Sequence, residues 1–423
     1  MDHRSHRYAT AAAVAAIAIG FSLCASAVGG ADHDSRFEAL SASGQAALEA
    51  GQYSKAEAAY AEALQLAEKG GGGEGERALS ALLGLAKARA QAGHHEEAIP
   101  VLQRALTITR TQYGLFDLRQ QDVLKSLAAS LTAVERVEEA QELMLYRVRT
   151  AEKNYGEANP KVIPAVCELG DWFSEVAMFP QARMSYYMAL NIVGTTDSLE
   201  APIIVEPLRG IARARMRAAS YPESKLRRRP NGVPGSNAAT GMTGYFRPKD
   251  GRVELDQEGE EALKRALRIV EADPAASPQT RIETLIQMGD WYQIKKLPRE
   301  ALPYYQRAWQ LNRTTPSPPN SASTTLNVPV RVYYPTPQIV SDAPAEHAEG
   351  VQSHYVQFEF TVAADGSVKD ARIVDRDTSD NYAQEIFAAV RASSFRPKLV
   401  DGQPVAAPGI TYREAFWTAM PRE

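Results

Sequence analysis

The sequence predicts a multi-domain protein in which an all-α solenoid of helical repeats precedes a small α+β domain, a three-stranded antiparallel sheet with one helix. Two observations predict this fold class. A helical pattern recurs with a constant offset of 42 residues, marked by Gly44, Ala86, Ala128 and Gly170. After about residue 350 the period changes, and apolar and polar residues alternate from Tyr355 to Val362 as in a half-buried strand.

The N-terminus is predicted to be a secretory signal peptide over residues 1–27. Arg4 and Arg7 precede an uncharged, alanine-rich stretch, and Ala25-Ser26-Ala27 offers a small-residue cleavage site. An uncleaved membrane anchor is the alternative, because the uncharged run extends to Ala31 and is just long enough to span a bilayer. Its alanine, glycine and serine content favours cleavage.

Cleavage would remove Cys24 and leave Cys167 as the one remaining cysteine, so no disulfide framework is expected. Cys167 lies between Val166 and Leu169 in a helical pattern, and we interpret it as a small buried hydrophobic residue.

The charge balance argues against a nucleic-acid partner. The 423 residues carry a formal net charge of −4, so there is no excess of positive charge to neutralise phosphates. The basic run from Lys225 to Arg229 lies among Pro, Gly, Ser and Asn residues, which indicates a solvated loop.

Each copy of the repeat has the pattern of a helix-turn-helix pair. Small residues recur where two helices must approach closely, and the larger residues that fill the gap to the next copy are Tyr60, Leu102, Met144 and Tyr186. These positions resemble the tetratricopeptide repeat. A later copy contains Met288-Gly289-Asp290-Trp291-Tyr292, and a fifth is interrupted by a predicted loop over about 221–251. We therefore expect six helical pairs over residues 37–312, followed by a linker over 313–328.

No pattern in the sequence indicates a catalytic, cofactor or metal site. His94 and His95 lack the spacing that places two histidines on one helix face, and the glycine-rich run Gly70 to Gly75 is not followed by Gly-Lys-Ser or Gly-Lys-Thr. The chain is therefore predicted not to be an enzyme and to use no cofactor.

Two aspartates within the repeats are candidate partner-binding residues. Gly-Asp-Trp occurs twice, with Asp171 in the fourth copy and Asp290 in the last. The tryptophans are expected to pack between helices. The aspartates are harder to explain as core residues, and we interpret them as carboxylates that face a ligand in the groove of the array.

The C-terminal residues predict a hairpin, a helix and a last strand. Asp365-Gly366 is a tight-turn pair, and Val368 to Val374 forms the return strand. A helical pattern then ends before Phe395-Arg396-Pro397, because proline cannot continue a helix. A final alternating run from Ile410 to Trp417 supplies the third strand.

This part of the chain, about 329–423, resembles the TonB C-terminal domain. The matching residues are Tyr334-Pro335, Val356 to Val362, Asp365-Gly366-Ser367-Val368, Ala389-Val390-Arg391, Phe395-Arg396-Pro397 and Asp401-Gly402-Gln403-Pro404-Val405. The resemblance implies a periplasmic domain that binds a segment of outer-membrane transporters by strand addition. The candidate residues for this role are Ile410, Thr411, Tyr412, Arg413, Phe416 and Trp417. Alternatively, Phe416 and Trp417 only cover the apolar face of the hairpin.

These features favour a non-enzymatic periplasmic adaptor that binds protein partners through its repeat groove and its sheet. The partners could be TonB-dependent outer-membrane receptors or other envelope proteins. The alternative is a TonB-type energy transducer, anchored in the inner membrane, that engages outer-membrane receptors for transport. Contact with the membrane is expected only if the N-terminus is uncleaved.

Overall fold

A computed structural model describes residues 33–69, 75–194, 201–220, 255–314, 324–335, 337 and 351–419. The chain forms two compact units, which divide between Thr150 and Ala151. The predicted signal peptide (1–27), the loop over 221–251 and its basic run from Lys225 to Arg229 lie outside the described residues. None of the described helices has the length and apolar character needed to cross a membrane.

The first unit consists of helices from the first three repeats. Helix α1 covers residues 33–49. It is followed by α2 (Tyr53–Lys69), α3 (Glu76–Gln91), α4 (His95–Tyr113), α5 (Gln120–Ala133) and α6 (Val137–Tyr155), the last of which continues past Thr150. Tyr60, Leu102 and Met144, the large residues of the repeat pattern, are all buried.

The second unit begins with three further helical pairs. They are α7 (Ile163–Glu175), α8 (Phe179–Gly194), α9 (Val205–Ala219), α10 (Leu255–Ala272), α11 (Pro278–Ile294) and α12 (Pro298–Thr314). Helix α9 packs against α10, so the fifth pair forms although its helices are far apart in the sequence. The predicted repeat solenoid is thus confirmed, with six pairs among the described residues.

Close approach of neighbouring repeats explains the small residues of the pattern. The Tyr186 side chain is fully buried, and its ring lies against Gly170 of its own pair and Gly210 of the next. A Cβ atom at Gly210 would lie 2.2 Å from Cε1 of Tyr186, closer than any real contact. The aromatic ring therefore fills the space that the missing side chains leave.

The second unit ends in the α+β domain. Its strands are β1 (Val330–Tyr333), β2 (Val351–Val362), β3 (Val368–Arg376), β4 (Ser394–Arg396), β5 (Lys398–Val400), β6 (Gln403–Val405) and β7 (Ala407–Ala419). The main sheet is three-stranded and antiparallel, as predicted, and its strand order is β3-β2-β7. Helix α14 (Asp380–Ala392) covers one face of this sheet, and its Ile386 and Val390 join Phe358 and Phe360 of β2 in the core.

Two short ladders and one short helix add to the predicted elements. Strand β1 pairs with β4, and β5 pairs with β6. Helix α13 (Thr324–Asn327) lies at the end of the predicted linker, and its Leu326 is fully buried. Strand β7 is also longer than the predicted Ile410 to Trp417, because it pairs with β2 along nearly its whole length.

Candidate functional site

Asp171 on α7 binds groups from two neighbouring helices. Its Oδ1 atom accepts a hydrogen bond of 2.7 Å from the hydroxyl group of Tyr186 on α8. The same atom lies 2.6 Å from Nη2 of Arg213 on α9, which belongs to the next repeat. The carboxylate thus joins both helices of its own pair to the pair that follows.

Arg213 extends this contact into a chain of ion pairs along α9. Its Nη2 atom also lies 2.8 Å from Oε1 of Glu206, whose other oxygen binds Arg209 at 3.1 Å. Arg209 in turn reaches Glu283 on α11 at 3.0 Å. Burial opposes the charge on Arg213, but the carboxylates of Glu206 and Asp171 outweigh it, so the pKa of Arg213 is raised.

Asp290 on α11 binds the same kinds of group as Asp171. Its Oδ1 atom accepts a hydrogen bond of 2.9 Å from the hydroxyl group of Tyr305 on α12. The arginine, however, is Arg396 of β4, whose Nε lies 2.9 Å from Oδ1 and whose Nη2 lies 2.6 Å from Oδ2. This bidentate ion pair is deeply buried, with side-chain exposures of 8% for Arg396 and 14% for Asp290.

Further polar contacts hold the α+β domain against the last helical pair. Lys296, after α11, donates from Nζ to the carbonyl oxygen of Ala392 at 2.6 Å. Gln293 donates to the carbonyl oxygen of Asp365 at 2.7 Å, and Gln306 on α12 donates to that of Gly402 at 3.0 Å. The repeats and the α+β domain therefore form one packed structure within the second unit.

Asp171 and Asp290, which the sequence analysis interpreted as ligand-facing carboxylates, both have partners within the chain. Each carboxylate binds an arginine of this chain, and Asp171, whose side chain is 39% exposed, is the more accessible of the two. Sequence reasoning missed both arginines. Arg213 follows Asp171 at the repeat offset of 42 residues and could have been found from it. The same offset from Asp290 leads to Val332, so it gives no indication of Arg396.

The candidate residues of the last strand lie on two faces of β7. Thr411 and Arg413 are exposed, whereas Ile410 and Tyr412 are half-buried and pack against the core of the sheet. Phe416 is only 1% exposed and packs against Tyr382 and His354. The side chain of Phe416 therefore covers the apolar face, as the alternative interpretation held, and is not available to a partner. The side chain of Trp417 lies outside the described part of the structure.

The backbone of β7 alternates between the sheet and its open edge. The carbonyl oxygen of Tyr355 on β2 accepts a hydrogen bond from Asp377, beyond the end of β3, so Tyr355 points away from β7. Ala415 stands opposite Tyr355 in the register and consequently directs its N–H and C=O groups outward. By alternation Arg413 and Thr411 also face outward, while Tyr412 bonds to β2.

The two edges of the main sheet differ in regularity. The β2–β3 ladder is interrupted twice, between Gln357 and Phe358 and between Glu359 and Thr361. The β2–β7 ladder runs without a shift from Val351 to Phe360 and is shifted once beyond that stretch, between Phe360 and Val362. Bulges protect a sheet edge from further pairing, so the outer edge of β7 is the better template for another strand.

The described residues contain no group of three or more His, Cys, Asp or Glu side chains placed to hold a metal ion. Burial raises the pKa of the Cys167 thiol, with smaller contributions from Glu206 and Asp171. A thiol of this kind is a poor nucleophile at neutral pH. It behaves as a buried apolar side chain.

Two family models match the chain. The model of the tetratricopeptide repeat matches residues 35–111, and that of the Gram-negative bacterial TonB protein C-terminal matches residues 344–413. The comparison with curated proteins found no match.

Solved structures similar to this chain include several repeat proteins. The nearly identical TPR-like repeats of a putative kinesin light chain from Podosopora anserina are 18% identical and cover 57% of this chain and 98% of that one, with a TM-score of 0.41. BtubC from P. vanneervenii is 16% identical and covers 68% and 96%, with a TM-score of 0.39. The TPR2AB domain of yeast Sti1 in complex with pHSP90 is 14% identical and covers 67% and 93%, with a TM-score of 0.22.

Both matched families are non-catalytic interaction domains, which indicates that the chain has protein partners. The chain combines tetratricopeptide repeats with a C-terminal TonB domain.

Proposed function

We propose that this protein is a non-enzymatic adaptor of the periplasm that binds an extended segment of a partner protein along the outer edge of β7. The observation that carries the proposal is the long outer edge of β7, which has no strand beside it within the described part of the chain. Each outward residue offers an N–H donor and a C=O acceptor, and an added strand pairs with both. Envelope proteins, including TonB-dependent outer-membrane receptors, are the partners that the TonB family suggests.

The side chains beside this edge support strand addition. Arg413 lies flat on Tyr355, with its guanidinium carbon 3.6 Å from the ring centroid. On the other face Glu414 binds Arg331 of β1, and the guanidinium group of Arg331 also lies over the rings of Tyr412 and Tyr334. These contacts order side chains on both faces of β7 before a partner binds, which lowers the entropic cost of binding.

The helical repeats supply a second interaction surface in this proposal. Tetratricopeptide repeats present helix faces to their partners, and stacked pairs create an extended surface for a peptide or a helix. In the second unit the Asp171 and Asp290 carboxylates are joined to arginines of the chain itself. We therefore assign them to the support of the array and propose that the partner contacts other residues of the repeats.

Strand addition is tested by exchanging a single outward residue. Arg413→Pro removes one outward N–H group and leaves the ladder to β2 intact, because proline is tolerated on edge strands. A photoreactive residue at Thr411 in the full-length protein is expected to yield a crosslinked partner in cells, and Arg413→Pro is expected to abolish that product.

The matched control is Arg413→Ala, which removes the side chain and keeps the N–H group. Retained crosslinking in this variant together with its loss in Arg413→Pro supports strand addition. Crosslinking that survives Arg413→Pro, or that is lost equally in Arg413→Ala, would contradict pairing through the backbone.

The location is tested by cell fractionation with mass measurement of the mature protein. The adaptor is expected as a soluble periplasmic species that begins near Val28. The transducer is expected in the inner membrane with an intact N-terminus, and that outcome would replace the adaptor.

A further inference from the structure

We infer that the last helical pair carries a surface that binds an arginine, and that the α+β domain occupies this surface with Arg396. The domain thereby acts as the cap of the repeat array. In this view the domain takes the place of a seventh repeat. Its partner surface is defined by Asp290, Tyr305, Gln293 and Gln306, and the ligand is the chain's own β4 with the turns around it.

The first step is the equivalence of two contacts in the same unit. In each, an aspartate accepts a hydrogen bond from a tyrosine 15 residues further on and binds an arginine from the element that follows. After Asp171 that element is the next repeat, which supplies Arg213. After Asp290 it is the α+β domain, which supplies Arg396. The domain therefore uses the contact by which one repeat binds another.

The second step explains how the domain delivers its arginine without a helix. The repeat offset that relates Asp171 to Arg213 leads from Asp290 to Val332, which lies in β1. Strand β1 pairs with β4, with Val330 opposite Arg396. Both β1 and β4 contact α11, so the chain continues beside the last helical pair as a strand, and the strand paired with it carries the arginine.

The third step is the fit of the turns that surround Arg396. The hairpin turn at Gly366 approaches the last repeat so closely that a Cβ atom there would lie 2.2 Å from Nε2 of Gln293 and 2.0 Å from the carbonyl oxygen of Phe395. Gly366 also has a φ of +78°, which side chains other than glycine rarely adopt. The turn at Gly402 lies against the ring of Trp309 on α12.

These contacts cover groups that an array ending at α12 would expose. Repeat arrays need a terminal element that shields the last apolar face. Here Tyr305 is buried, and burial, followed by the Asp290 carboxylate, raises its pKa well above the ordinary value. The buried Tyr305 and the Asp290–Arg396 pair thus lie where the α+β domain covers the last helical pair.

The cap is tested by calorimetry on the full-length protein with Arg396→Ala. Loss of the buried pair is expected to lower the unfolding transition of the second unit by about 5 to 15 °C. The repeats and the α+β domain are expected to unfold together in the wild-type protein. In the variant they are expected to unfold separately, with the repeats of the second unit also below their wild-type transition. Arg372→Ala is the matched control, because Arg372 pairs with Glu359 on the exposed face of the same sheet.

Two results would overturn the cap. In the first, Arg396→Ala unfolds as Arg372→Ala does. In the second, the α+β domain unfolds separately while the repeats keep their wild-type unfolding temperature. That result would show that the domain does not stabilise the repeats. If Arg396→Ala does not accumulate in cells, Arg396→Lys retains the charge and loses the bidentate contact. A smaller downward shift in Arg396→Lys is expected, and an unchanged transition contradicts the proposal. Partner crosslinking at β7 is not used in this test, so the two proposals fail independently.

Discussion

The aspartates of the repeats and the outer edge of β7 were both predicted to bind partners. The two regions differ in whether their polar groups already have partners within the described part of the chain. Asp171 and Asp290 find their arginines within the chain. The outward backbone groups of Arg413 and Ala415 find no strand beside them among the described residues. A polar group that the fold already satisfies contributes to stability, whereas an unpaired strand edge is available for recognition.

The largest effect is expected at Asp290. Asp290→Ala leaves Arg396 buried without its carboxylate, and breaking a buried pair on one side costs about 3 to 5 kcal/mol. Denaturant unfolding of the second unit measures this loss. Because Asp290 supports the fold and the outer edge of β7 binds the partner in this account, Asp290→Ala should still crosslink a partner at β7 under conditions where the variant is folded. A loss below about 1 kcal/mol would show that the pair is not the main contact of the domain.

A smaller effect is expected at Asp171. Arg213 is more exposed than Arg396, with 27% of its side chain accessible, and it keeps Glu206 as a partner. Asp171→Ala is therefore expected to cost about 1 to 2 kcal/mol in the same unfolding measurement. Equal losses for Asp171→Ala and Asp290→Ala would show that the two aspartates contribute alike, and that the greater burial of the second has no consequence.

Acid should weaken the contact between repeats through Glu260. Burial works against its charge, but hydrogen bonds from Lys264, Lys295 and Tyr292 outweigh this and lower the pKa of Glu260 to about 2 from 4.5. Its stabilisation is fully present above pH 4.5 and is lost as the pH falls towards 2. Because 48% of the Lys264 side chain is exposed, water screens the attraction, and the contribution is about 1 kcal/mol.

Glu260→Gln removes this acid-dependent part. Unfolding measured from pH 6 to pH 2 is expected to show a shallower loss of stability in the variant than in the wild type. Identical pH profiles would rule out Glu260 as a source of acid sensitivity.

The smallest effect on stability is expected from Arg413→Pro. Because the lost N–H group faces outward, the free energy of unfolding is expected to change by less than about 1 kcal/mol. Tyr412→Pro is the informative comparison, since its N–H group bonds to β2 and its loss should destabilise the sheet more strongly. If Tyr412→Pro is the milder variant, the assignment of outward residues is reversed.

Much of the fold was predictable because its contacts repeat. The spacing of small residues around Tyr60 and Tyr186 predicted paired helices, and the alternation from Tyr355 to Val362 predicted the central strand. Gly-Asp-Trp drew attention to Asp171 and Asp290, whose role in binding a partner stays a prediction. The motif did not predict the arginines that bind these two carboxylates. The local sequence around an aspartate is the same whether its partner is a residue of this chain or of another protein.

The remaining features depend on tertiary contacts that no local pattern encodes. Arg396 reaches Asp290 only through the pairing of β1 with β4, and β1 has four residues with no alternation of burial. The alternation from Ile410 to Trp417 predicted a strand but not the side that each backbone group faces. That side follows from the register between β2 and β7 and from the bond between Tyr355 and Asp377.

Amide hydrogen exchange along β7 tests the central claim most directly. In the free full-length protein the amides of Arg413 and Ala415 are expected to exchange rapidly, and those of Tyr412 and Glu414 slowly, because only the second pair bonds to β2. A bound partner strand should slow the first pair and leave the second unchanged. Uniformly slow exchange along β7 in the free protein would show that the edge is already paired and would contradict its role as the recognition surface.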